Sequence, residues 1–172
     1  MIRALLLGSL CAAAFATAAS ADAANLLGAF GNWTAYSTGS GSDMTCFAMS
    51  KPKATRPHMA KRGDPMLIVS DWPGRKIKSE VEIVPGYEYK TAVPASLGIG
   101  GDKFEFFARN DAKSGSAWLR HLGDSSRLIA ALSSGVSAVA IGTPLKGART
   151  VDTYSLAGFG EAIAKVHSVC QT

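Results

Sequence analysis

The chain has 172 residues, 47% of them hydrophobic, with 18 lysines and arginines against 13 aspartates and glutamates and a net charge of +5. Setting aside a 21-residue leader leaves 151 residues, one domain's worth with room for a real core, and loss of Arg3 brings the charge to +4. That charge falls far short of a nucleic-acid binder's footprint, and nothing after residue 24 is apolar for long enough to cross a bilayer as a helix.

In chain order, Met1-Ile2-Arg3 is a short positive start, followed by a weakly apolar stretch over residues 4–16 that contains Leu5, Leu6, Leu7 and Leu10. Ala19-Ser20-Ala21 is an A-x-A cleavage site. This is the layout of a secretory signal peptide, so residues 1–21 are expected to be removed and residues 22–172 to form the mature protein outside the cytoplasm. The periplasm or cell envelope is the expected location, with the cell surface or secretion as further destinations. Cys11 lies in the leader, and the bulky Leu10 before it argues against a lipid anchor there.

Residues 25–31 form a small-residue lead-in. Residues 32–36 and 45–50 read as two strands across a Gly/Ser loop, anchored by Trp33 and by Cys46-Phe47. A basic, Pro-containing loop covers residues 51–64. Residues 66–69 are a fully apolar strand stopped at Pro73-Gly74, and residues 80–84 alternate polar and apolar with period 2. Further strands are expected over 87–93, 103–108, 117–119, 136–141 and 150–154, with a tight turn at 98–102 and a hairpin connection at Gly147-Ala148.

Asp124 or Ser125 can cap a helix through Leu128, Ile129 and Leu132 that Gly135 ends. A C-terminal helix is expected after Ser155 as N-cap, with Phe159, Ile163, Val166 and Cys170 on one apolar face. About eight strands and two helices with frequent turn signals predict a mainly β protein, an antiparallel β-sandwich with a C-terminal helix and one further short helix.

Cys46 and Cys170 are the two cysteines that survive processing. In an oxidising compartment such an isolated pair most often forms a disulfide; two buried free thiols are the alternative. The apolar stripe that carries Cys170 would bring it against the strand that carries Cys46. Trp33, Trp118 and Tyr154 are expected as core or hinge-packing residues of the sandwich rather than as a sugar-stacking platform.

Catalytic chemistry has little local support. There is no G-x-S-x-G elbow, no H-E-x-x-H, C-x-x-C or EF-hand spacing, and the glycines at 98, 100 and 101 lack the Lys-Ser/Thr pair of a phosphate loop. No metal or cofactor is therefore expected. His58, His121 and His167 are isolated in sequence, and a hydrolytic site would have to assemble from distant residues such as His121, Asp124 and a serine. The stronger feature is the run Lys51, Lys53, Arg56, Lys61 and Arg62, with no acidic residue among them. It is either a solvated connection or a cationic patch for anionic lipid or glycan, to which Arg75, Lys76 and Lys78 would add if the strands bring them close.

The chain resembles the invasion-associated locus B family of exported bacterial proteins. The most specific segment is Asp152-Thr153-Tyr154-Ser155-Leu156-Ala157-Gly158-Phe159, followed by an Ala-containing helix ending in Cys170. Gly31-Asn32-Trp33, residues 46–52, Arg62-Gly63-Asp64 and Ala117-Trp118-Leu119 support it. With two cysteines in the mature chain it is similar to the two-cysteine branch. The resemblance implies an immunoglobulin-like β-sandwich exported to the envelope, a non-enzymatic binding or interaction role with a link to host-cell invasion, and no catalytic residue to carry over. The expected partner is an envelope or host-surface component of unknown identity; the modest charge and the expected export argue against nucleic acid.

Overall fold

The computed structural model describes residues 23–111 and 114–172; the expected leader and its cleavage site lie outside the described residues. Eleven strands form one continuous, wholly antiparallel sheet in the order β1-β2-β3-β5-β6-β9-β8-β7-β10-β11-β4. The strands are β1 (Asn25–Phe30), β2 (Trp33–Thr38), β3 (Thr45–Ser50), β4 (Ala54–Arg56), β5 (Met66–Trp72) and β6 (Ile77–Val84). After them come β7 (Ala95–Ile99), β8 (Asp102–Asn110), β9 (Gly115–Leu119), β10 (Ser137–Gly142) and β11 (Thr150–Ser155). Helix α1 (Ser125–Ser134) sits between β9 and β10, and α2 (Phe159–Cys170) ends the chain. The mainly β, antiparallel, two-helix architecture is as expected, with more strands than the turn signals disclosed.

Period-2 alternation explains where the core sits. Trp33 and Ala35, Leu67 and Val69, Val81 and Ile83, Phe104 and Phe106, and Leu97 and Ile99 are all buried, and their sequence neighbours face the other side. The sheet folds over on itself around this one inner face. Its two ends meet where the Asn32 N–H donates to Ala157 O (2.9 Å) and the Trp33 indole N–H donates to Ser155 O (3.1 Å).

The apolar stripe of α2 lies on the inner face, with Phe159, Ile163, Val166 and Cys170 buried as expected and the Phe159 ring edge-on to Trp33 at 4.9 Å. Cys46 of β3 and Cys170 of α2 form a disulfide across 124 residues. Closing a loop of that length restricts the unfolded chain by about 5 kcal/mol in the loop-entropy model.

Three local expectations are corrected. Residues 87–93 are not a strand: the Tyr89 backbone is held on both sides by the Asn110 side-chain amide (2.8 and 2.9 Å), leaving one isolated bridge to Pro144. The regular strand comes later, at Ala95–Ile99, where Gly98 pairs in register with Lys103 and Val139 instead of opening the turn. Helix α2 is entered through Gly158 (φ 91°), not capped by Ser155, which ends β11 with its hydroxyl bonded to Asn32 (2.8 Å). Gly158 packs so closely on Phe30 that a Cβ there would lie 1.9 Å from the Phe30 carbonyl oxygen.

Candidate functional site

The basic segment divides into exposed and buried members. Lys51, Lys53, Arg56 and Lys61 are exposed, with β4 tying their middle to β11 through the Arg56–Val151 register and the Lys53 N–H on Thr153 O (2.7 Å). Lys51 meets Asp64 at 3.2 Å in an exposed pair, a contact worth at most about 1 kcal/mol. Arg62 is a correction. Its side chain is only 4% exposed, and it grips the equally buried Asp152 through two hydrogen bonds, at 2.8 and 2.5 Å. It also donates from Nε to Pro85 O (2.6 Å) and lies over the Tyr87 ring at 5.1 Å. Burial opposes its charge, but the hydrogen bonds and negative charge of Asp152 outweigh that, so its proton is held more firmly than in water. Arg62 therefore fastens the segment to β11 and is absent from the free cationic surface.

Arg75, Lys76 and Lys78 do not join that surface. They follow the end of β5, whereas residues 51–62 precede its start, so the strand separates the groups by about 20 Å.

The residues named for a hydrolytic site are not assembled. His121 is exposed, and the Asp124 carboxylate accepts from Arg127 at 3.2 Å. The structure instead groups Ser79, His167 and Asp71. Ser79 Oγ is 2.9 Å from His167 Nε2, and Asp71 Oδ1 is 3.8 Å from the same nitrogen. A serine–histidine relay places its carboxylate on the other ring nitrogen, Nδ1. Here Asp71, fully buried, accepts from the Ser79 backbone N–H (2.8 Å) and from the Thr172 hydroxyl. The arrangement is a clasp between the end of α2 and the bulge where β5 and β6 lose register, one strand from the disulfide, since Cys46 pairs with Asp71. Burial lowers the His167 pKa against the attraction of Asp71, and Lys78 lowers it further.

The aromatic expectation needs one correction too. Trp33 and Tyr154 are fully buried, but Trp118 faces outward, because β9 turns Gly115, Ala117 and Leu119 to the core. It belongs to an outer row running Met49, Ile68, Glu82, Trp118 and Phe107 across five strands. Beside this row lies a groove of about 780 Å³ walled by Trp72, Phe107 and Trp118. It opens because β6 and β9 pair only at Glu82–Trp118 and Ile83–Ala117 before parting. Burial pushes the Glu82 carboxyl up; a hydrogen bond from Ser116 works against this and Glu80 adds to it. Sequence reasoning missed the groove, although the small-residue alternation at 115, 117 and 119 signals an outward Trp118.

A mainly β domain, its sheet folded over one core and its C-terminal helix pinned by a disulfide, is the class these features define. The comparisons place a known fold beside it. The crystal structure of invasion associated protein B from Bartonella henselae superposes with a TM-score of 0.56 at 13% identity, over 84% of this chain and 98% of that one. The chain thus has the fold of invasion-associated protein B, as the sequence resemblance implied. No family model matches the sequence, and no curated protein does.

Proposed function

We propose that this chain is an exported, non-enzymatic binding module of the cell envelope, with residues 22–172 as the mature domain and a role in host-cell invasion as its widest reading. The observation that carries the binding reading is that Lys51, Lys53, Arg56 and Lys61 stand exposed on one short segment while Arg62 anchors it to β11. Anionic envelope lipid or glycan is the natural partner of such a patch for an exported protein. The disulfide and the shared fold support export and a non-enzymatic role.

The test is binding to vesicles with and without anionic lipid, by co-sedimentation, for the parent and a variant with Lys51, Lys53, Arg56 and Lys61 changed to Gln. Binding should weaken as salt rises, because the Debye length is about 8 Å at physiological ionic strength, and should be largely lost in the variant. Equal binding of variant and parent at low salt would show the segment to be a solvated connection.

A further inference from the structure

The groove between β6 and β9 takes no part in the surface described above. Residues 77–82 of β6 all line it, six in succession. Successive strand residues point to opposite faces, so a cavity touching every one of them runs along the edge of the strand. That edge is free because β6 turns away at Ser79 (φ 57°), whose backbone N–H goes to Asp71 and whose hydroxyl goes to His167.

The lining separates into an apolar body and a charged rim. Val81, Leu119 and Leu128 form a buried aliphatic floor beneath the three aromatic rings. Such a floor offers no hydrogen bonds and takes an acyl chain without desolvating polar groups; a peptide strand would instead have to pair with the open edge of β6, and an acidic peptide is therefore one arm of the test below. At the rim, Arg75 lies over the Trp72 ring at 4.7 Å and Lys78, on β6, stands exposed; neither has a carboxylate partner among the described residues. Arg109 lies over Phe107 at 5.5 Å, while Arg120 is paired with Glu105. With Arg120 committed to Glu105, three cations, Arg75, Lys78 and Arg109, face two carboxylates, Glu80 and Glu82, around the groove. The Trp72 indole N–H is buried without an acceptor among the described residues, and Leu122, at the mouth, is 80% exposed. The volume lies within the range of about 300–1,000 Å³ usual for small-ligand sites.

We propose that this groove binds a single-chain anionic lipid, its acyl chain along the β6–β9 gap and its acidic head at Arg75 and Lys78. The site is separate from the exposed segment at residues 51–61, so the two readings stand or fall independently.

The experiment titrates the mature, oxidised protein with monomeric dodecanoate and follows tryptophan emission, with calorimetry for stoichiometry. Of the three tryptophans, Trp33 is sealed in the core, so the signal reports Trp72 and Trp118. One dodecanoate should bind per chain, at least about tenfold more tightly than uncharged dodecyl maltoside, with Arg75→Gln/Lys78→Gln abolishing that preference. Phe107→Ser should weaken both ligands about tenfold or more; Leu122→Asp, at an exposed position, makes the same test without burdening folding. The variant neutralised at Lys51, Lys53, Arg56 and Lys61 should bind dodecanoate as the parent does. The proposal is overturned if dodecanoate does not saturate at one site, if the neutral ligand binds equally well, or if the groove variants match the parent. Loss of dodecanoate binding in the neutralised variant would overturn it as well. So would an acidic oligosaccharide or acidic peptide that shifts the emission where dodecanoate does not.

Discussion

Arg62→Ala tests the division of the basic segment most directly. In sequence Arg62 is one cation among five; in the structure it is the buried partner of Asp152, with a third hydrogen bond to the Pro85 carbonyl. Truncation leaves a carboxylate of 3% exposure without its counter-charge and a carbonyl without its donor. Breaking one side of a buried ion pair costs about 3–5 kcal/mol, whereas truncating the exposed neighbour Lys61 should stay within about 0.5 kcal/mol. For a domain of this size each kcal/mol moves the midpoint by about 2–4 °C, so Arg62→Ala should unfold roughly 10 °C below the parent and Lys61→Ala beside it. Arg62→Lys should fall between them, because an ammonium keeps the charge but cannot grip both carboxylate oxygens in one plane. Thermal and urea denaturation followed by circular dichroism measures all three. An Arg62→Ala protein no less stable than Lys61→Ala would refute the argument and return Arg62 to the free surface.

Reduction of the Cys46–Cys170 bridge, or its replacement by two serines, should lower stability by about 2–5 kcal/mol, read as a fall in the urea midpoint with and without reductant. The clasp at His167 carries a pH signature. Its pKa in the fold lies below the ordinary value of 6.5, so the unfolded chain takes up the proton first, and the stabilisation present above about pH 6.5 declines as pH falls toward the folded value. Denaturant midpoints of parent and His167→Gln should therefore converge between pH 7.5 and pH 5.5, and a constant gap would show that His167 does not titrate in that window. Removing Thr172, whose hydroxyl donates to Asp71, should loosen the end of α2 and speed hydrogen exchange there without altering exchange in β8.

What was legible in the sequence follows from how local its cause is. The α2 stripe and the alternation at 80–84 carry their own periodicity, the strands around Trp33, Cys46 and Leu67 carry local apolar residues between turn signals, and each takes its expected place. The disulfide was legible as the favoured alternative, because an expected leader that removes Cys11 leaves Cys46 and Cys170 as an isolated pair. Strand β7 was hidden because Gly98 is a turn former by itself and a strand residue only once Lys103 and Val139 pair with it. An aromatic within a strand pattern suggests burial, but at Trp118 the small residues at 115 and 117 hold the inner face and the ring turns outward.

The two features that bear on function share one reason for being hidden. Arg62 and Arg56 are chemically identical in the sequence; only Asp152, 90 residues away, separates them into an anchor and a surface cation. The groove exists because β6 leaves β9 to reach a clasp closed by His167 and Thr172, at the far end of the chain. In both cases one long-range contact decides whether a side chain is spent on holding the fold or left facing outward. The same logic ranks the candidate sites. Once the committed charges are removed, Lys53, Arg56 and Lys61 remain on the segment at 51–61, and Arg75, Lys78 and Arg109 remain around an apolar cleft. The first set has charge without a cavity and suits an extended anionic surface. The second has both, and a ligand that enters it must match an apolar body to an acidic end.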